Sequence, residues 1–326
     1  MERNDSLLIS ASYFWYNSLN AFIFGHGPMI ITLADVYMLI GLRTTGSMQP
    51  YEYLSAGYKR LAKIADYTGW ANYILNHVED GSSVSEREYV AFLNMWLEKF
   101  IFCGSSCGPT YNYKLMVEHL ALGKDIPLGK YLLGAAYHLM YQVAAQLLKN
   151  EPVQTINGPW WLIQLWLNLY MHKSVRPDLR DMSFPSSNFD EEYRGKEGRT
   201  RQCMNYGEAT SAITIDFDVG HFFKKLYRGF DVVVLTWLPY KEDDELIFPF
   251  KFRFESGCSD EIAAAIFNTF IKPYVLLAEF CHGRGKMVKG SSTPGNPLTY
   301  EFYNPSFMAR QFGIGQLPPA CSLRTS

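Results

Sequence analysis

The chain has no excess of either charge. Thirty lysines and arginines stand against 32 acidic residues, a formal net charge of −2. Overall charge therefore gives no argument for nucleic-acid binding, although a local basic patch remains open. Cysteine is sparse: six residues among 326, at Cys103, Cys107, Cys203, Cys258, Cys281 and Cys321. That is far thinner than a stapled secreted scaffold and favours a reducing compartment. Long hydrophobic runs are missing too, each being broken by Gln, Asn, Lys or His before it reaches bilayer length, so no membrane span is expected. The opening MERNDSLLIS reads as neither a signal-peptide core nor a targeting helix. No internal repeat is evident. What the chain does have is apolar bulk, 48% hydrophobic and 16% aromatic, enough for a large core in one big domain or two ordinary ones.

Periodicity predicts helices through the first half. In GHGPMIITLADVYMLIGL a turn and a short strand lead to Thr32 as N-cap. Asp35 is its capping-box partner, Leu33, Val36 and Ile40 share a face, and Gly41 is the stop. In SEREYVAFLNMWLEKFIFCG Ser85 caps with Glu88, and Tyr89, Phe92, Leu93, Trp96 and Phe100 are expected to form one stripe before Gly104. Leu128, Leu132, Ala135, Leu139, Val143 and Leu147 mark a long helix starting beside Pro127. Asn157 and Pro159 open NGPWWLIQLWLNLYMHK, apolar on nearly every side and read as the central helix.

The composition changes over 181–212, where polar residues and glycine predict a long loop or linker. Beyond it the period shortens. Strands are expected in AITIDFDV, DVVVLTWL and FPFKFRFES, followed by a helix from Ser259 through DEIAAAIFNTFI that ends or kinks at Pro273. The expected fold class is mainly α-helical with a smaller mixed α+β C-terminal part. It forms one unit over 15–320, with a helical lobe at 15–180, the linker at 181–212 and the mixed lobe at 213–320.

Each candidate chemistry meets an obstacle. GSSCG at 104–108 fits G-x-S-x-G, with Ser106 as nucleophile, but a helix rather than a buried strand leads into it. Cys103, Cys107 and His119 lack the second ligand pair of a structural zinc site, and Cys281 and His282 are adjacent rather than spaced. HGRGKMVKGSS lacks Walker spacing. Its Arg284, Lys286 and Lys289, like Lys224, Lys225 and Arg228, are read mainly as solvated charges that meet phosphate only if the fold gathers them. Asp216 and Asp218 would share a strand face as a metal-binding pair, and KEDDEL at 241–246 reads as a solvated acidic loop. His138 has no evident partner nearby and reads as a hydrogen-bonded structural histidine. No catalytic, cofactor-binding or metal-binding residue is assigned.

Taken in order, FIFGHGPMIITLADVYMLIGLRTTG, SEREYVAFLNMWLEKFIFCG, GPWWLIQLWLNLY and FYNPSFMARQFGIGQLPP resemble four landmarks of the plant mobile domain, over roughly residues 15 to 320. The last resembles that family's closing tyrosine-x-proline segment with its arginine-glutamine-phenylalanine-glycine core. The family is also labelled aminotransferase-like and occurs in plant retroelements and nuclear meristem-maintenance proteins. The resemblance implies a non-enzymatic nuclear interaction module in transposon silencing, gene expression and meristem maintenance. It implies nuclear protein partners, among them a phosphatase-like one such as the long form of protein phosphatase 7, with chromatin or nucleic-acid contact weak, and no cofactor. The alternative is an enzyme of unknown reaction, hydrolase-like or metal-dependent at Asp216 and Asp218. Aminotransferase chemistry has only the label behind it, because no lysine stands out as a Schiff-base residue. Gly313, Gly315, Pro318 and Pro319 are expected to dock Phe312 and Ile314 as a structural clasp.

Overall fold

The computed structural model describes residues 2–25, 27–46, 69–79, 81, 83–104, 108–110, 113–153, 156–170, 175–177, 212–214, 217–229, 274–280 and 298–303. More than half of these are helical, and they include one small three-stranded sheet. Most of the expected 181–212 linker, the strands at 231–238 and 248–256, the helix after Ser259 and the 309–319 clasp lie outside the described residues.

Asn4 caps α1 (Asp5–Ser12), its side-chain oxygen accepting the Leu7 N–H at 2.7 Å. Gln164 fixes the same segment with both ends of its amide: Oε1 accepts from the Asn4 N–H at 2.9 Å and Nε2 donates to the Glu2 carbonyl at 2.7 Å. One buried polar side chain is thus satisfied by backbone that would otherwise be left unpaired. After α1 the chain forms an antiparallel sheet, β1 (Trp15–Tyr16), β2 (Ala21–Phe24) and β3 (Gly27–Met29), in the order β1-β2-β3. Its inward aromatic residues start the core, with Phe22 packed edge-on to Trp15 at 4.9 Å and stacked on Phe24 at 5.3 Å.

Thr32 and Asp35 form the expected capping box at the start of α2 (Leu33–Ile40), and Gly41 ends it in the left-handed region at φ 68°, where glycine carries no Cβ penalty. A short helix, α3 (Trp70–Leu75), precedes α4 (Glu86–Met95). The Ser85–Glu88 box is present at the start of α4, and the expected stripe is divided: Leu93 is buried and Trp96 packs against the core, while the other three residues face outward. Tyr89, Phe92 and Phe100 are 44%, 51% and 52% exposed, whereas Ala91, Leu93, Asn94, Leu97, Glu98 and Ile101 are buried. Tyr89, Phe92 and Phe100 lie outward, and the side that carries Ala91, Leu93, Asn94, Leu97, Glu98 and Ile101 packs inward. From Trp96 to Ile101 the helix widens to π geometry, which carries the inner face onward to Leu97, Glu98 and Ile101.

Next come α5 (Lys114–Ala121), α6 (Leu128–Leu148) and α7 (Trp160–Tyr170). The long helix is as read, starting after Pro127, yet it is buried on more than the expected stripe, through Tyr131, Leu133, Ala136, Tyr137 and Met140 as well. It packs on α1, α2, α7 and β1. The sequence assigned the central position to α7, which is indeed buried from Leu162 through Asn168, but α6 is the hub. Gly129 lets α6 approach closely: its N–H reaches the Arg43 carbonyl at 2.8 Å, and a Cβ there would press on that oxygen and on Val36.

Four strand segments and one helix follow among the described residues. These are β4 (Val175–Pro177) paired with β5 (Ala212–Thr214), α8 (Val219–Arg228), and the hairpin-like pair β6 (Tyr274–Phe280) and β7 (Leu298–Tyr303). Phe222 and Leu226 of α8, Leu276 of β6 and Tyr303 of β7 join the same hydrophobic cluster as the N-terminal helices. Gly25 marks how close the approach is. Its N–H donates to the Leu226 carbonyl at 3.0 Å, and any Cβ at residue 25 would fall on the Tyr227 carbonyl.

Candidate functional site

Segments far apart in sequence meet at the buried N-terminus of α2. An α-helix leaves its first N–H groups without intrahelical partners. Here the Asp35 N–H is taken by the Thr32 hydroxyl at 3.1 Å, and the Leu33 N–H donates to the Tyr303 hydroxyl at 3.2 Å. The Asp35 carboxylate accepts from both the amide and the hydroxyl of Thr32, each at 2.7 Å. The Tyr137 hydroxyl donates to the Ile31 carbonyl at 2.6 Å. Burial, reinforced by Tyr303, Asp35 and Glu301, pushes the Tyr137 phenol well above its usual range, so it stays a neutral donor.

Two residues further back along β7, Glu301 spans two elements. Its Oε1 lies 3.2 Å from His138 Nδ1 and its Oε2 lies 3.3 Å from Asn20 Nδ2, which also donates to the Phe302 carbonyl at 3.0 Å. Gln142 Nε2 stands 2.9 Å from His138 Nε2. With the amide donating there, the ring proton sits on Nδ1 and is given to Glu301. Asn20 holds a left-handed backbone, φ 50°, which asparagine tolerates better than most residues. A carboxylate-oriented histidine is an acid–base arrangement in form. In this chain it fastens β7 to α6 and to the β1–β2 turn.

A family model described as plant mobile domain matches residues 1–326, the whole sequence. The chain belongs to that family. No curated protein and no solved structure matches it.

In this plant mobile domain the motifs that carried the resemblance are joined physically. The opening threonine-leucine-x-aspartate-valine helix is α2, and its Leu33 N–H is bonded to Tyr303, the tyrosine of the closing segment. The acidic pair falls out differently. Asp216 lies outside the described residues, and Asp218 is not on a strand: β5 ends at Thr214, and Asp218 is the N-cap of α8, accepting the His221 N–H at 2.7 Å. A capping aspartate spends its oxygen on the helix amide, which corrects the strand reading at that residue. Lys224, Lys225 and Arg228 lie on α8, while Arg284, Lys286, Lys289 and the 241–246 cluster lie outside the described residues.

Ser106 and Cys107 also lie outside them, as do Cys203, Cys258, Cys281, His282 and Cys321. Cys103 is a half-buried free thiol whose pKa is raised by burial. Among the described residues no group of three His, Cys, Asp or Glu side chains is placed to hold a metal ion. Both ends of the loop around the GSSCG match are tied down by Glu98. Its backbone carbonyl accepts from Gly104 N–H, and its buried carboxylate accepts the Thr110 N–H, each at 2.9 Å.

Burial raises the Glu98 pKa, against the lowering effect of the Thr110 bonds. A carboxyl raised on folding contributes stability that is present below its unfolded pKa and lost as pH rises through the folded one. Glu98→Gln keeps an acceptor for Thr110 and removes the charge. It is therefore expected to melt above the wild type at neutral pH, with the difference vanishing as pH falls toward 4.5, the unperturbed value. Thermal melts of both proteins across that range check it. A variant that melts lower at neutral pH would show that the charge itself is stabilising.

Proposed function

We propose that this plant mobile domain is a non-enzymatic interaction module of the nucleus. It acts in transposon silencing, gene expression and meristem maintenance through contacts with other nuclear proteins, a phosphatase-like protein among them. In this reading its C-terminal portion is a mixed α+β part built onto the helical one. The observation that carries the proposal is the outward face of α4 and its π extension. Tyr89, Phe92 and Phe100 stand exposed on one stripe, with Lys99 over the Phe100 ring at 5.5 Å. Exposed aromatic rings on a capped, rigid helix supply contact area at low entropic cost, and such residues are enriched at protein interfaces. The enzyme alternative has its best support in the His138–Glu301 pair.

The test compares wild type with a Tyr89→Ser, Phe92→Ser, Phe100→Ser variant in quantitative pull-downs from plant nuclear extract, with melting curves recorded in parallel. The variant is expected to keep its melting temperature within a few degrees, as exposed substitutions do, and to lose most of the proteins captured by the wild type. Unchanged capture by a folded variant would remove this face from the reading. For the enzyme alternative, a lysine adduct trapped by borohydride in the presence of pyridoxal phosphate would overturn the non-enzymatic assignment.

A further inference from the structure

On a different element from α4, and independently of the protein-contact reading, the outward face of α8 repeats a two-residue unit. Phe223 is followed by Lys224, and one turn later Tyr227 is followed by Arg228. Phe222 and Leu226 point into the core, which turns 223, 224, 227 and 228 outward. Tyr227 is 68% and Phe223 38% exposed. Their rings are near-parallel, 10° apart with centroids at 6.4 Å, and Tyr13 at the end of α1 meets Phe223 edge-on, at 6.0 Å and 80°. Lys224 and Arg228 are exposed and make no ion pair with a described residue. Lys225, by contrast, is turned aside over the Phe217 ring at 5.1 Å. Asp218, the acidic residue adjoining α8 among the described residues, is engaged as its cap.

We infer that this face binds single-stranded nucleic acid. Sequence-independent strand binding combines π-faces on which bases stack with cations that follow the phosphates. Here each ring has its cation as the next residue, and the two units recur four residues apart, about 6 Å along the helix axis. That repeat suits successive nucleotides of an extended strand. A flat acidic protein segment would use the cations but gain little from a near-parallel pair of exposed rings. The net charge of −2 makes the interaction local, weak and strongly dependent on salt.

The experiment is fluorescence anisotropy of the full chain with labelled oligo-dT and oligo-U of about twelve nucleotides, within the usual site size, starting at about 50 mM salt where phosphate contacts are strong. Wild type is expected to bind both strands and to prefer them over a duplex of the same length. Tyr227→Ala is expected to weaken binding at least about fivefold, the lower end for one lost stacking contact. The double variant Lys224→Ala, Arg228→Ala is expected to reduce the slope of log Kd against log salt by about 1.4, two phosphate contacts at about 0.7 each. Melting curves confirm that these exposed substitutions leave the fold in place. Absence of binding at low salt, equal affinity of wild type and both variants, or a preference for duplex would each overturn the inference. So would displacement by poly-glutamate with Tyr227→Ala indifferent, which would reassign the face to an acidic protein segment.

Discussion

Tyr303→Ala is expected to lower the stability of the chain by about 3–5 kcal/mol, the range for truncating a fully buried aromatic residue, and Tyr303→Phe by about 1–2 kcal/mol. Tyr303 is completely buried and belongs to the hydrophobic cluster shared with the N-terminal helices. Its ring lies 6.5 Å from that of Tyr137, and its hydroxyl takes the Leu33 N–H at the start of α2. The alanine variant loses the ring and leaves a buried amide without its acceptor, whereas the phenylalanine variant loses only the acceptor. Chemical denaturation of the three proteins separates the two contributions. If alanine and phenylalanine cost the same, the hydroxyl carries the effect. If alanine costs less than about 1 kcal/mol, at the level of an ordinary surface change, β7 is not part of the core.

The same residue shows what the sequence made legible and what it did not. The capping boxes at Thr32 and Ser85 and the glycine stop at Gly41 were readable because they are local, with donor and acceptor three residues apart. The bond from Leu33 to Tyr303 was not, because no short-range pattern specifies a partner 270 residues away. His138 was read correctly as a hydrogen-bonded histidine, but its partner Glu301, 163 residues on, could only be found in three dimensions. The stripe on α4 was legible only in part. That helix is apolar on two sides, so periodicity grouped Leu93 and Trp96, which pack inward, with Tyr89, Phe92 and Phe100, which do not. The helix α8 had its own signals, Asp218 as cap, Phe222 and Leu226 one turn apart and Gly229 as stop. They were masked by reading Asp216 and Asp218 as alternate positions of a strand.

Alternation along β7 explains why its two functional-looking residues act together. Successive side chains of a strand point to opposite faces, so Glu301 and Tyr303 share the buried side while Phe302 between them is exposed. Tyr303 is satisfied by α2 and Glu301 by α6 and the β1–β2 turn. The strand is thus held to the N-terminal elements by one uncharged bond and one charge-assisted pair.

Glu301→Ala is accordingly expected to destabilise the chain by about 2–3 kcal/mol. Removing one partner of a fully buried ion pair typically costs about 3–5 kcal/mol, and here only Glu301 carries charge. The cost is set lower here because His138 and Glu301 keep 16% and 11% of their side chains in contact with solvent, and because Asn20 retains the Phe302 carbonyl. Glu301→Gln preserves an acceptor without the charge and is expected to fall between wild type and alanine. Since both variants also alter packing, the pair itself is measured by a double-mutant cycle with His138→Ala. Contacting residues in one network couple by about 0.5–3 kcal/mol, and a coupling of at least about 1 kcal/mol is expected for this charge-assisted contact. Additive effects of the two alanine substitutions would mean that the 3.2 Å contact contributes nothing of its own, leaving Tyr303 and the apolar cluster to hold β7 against α6.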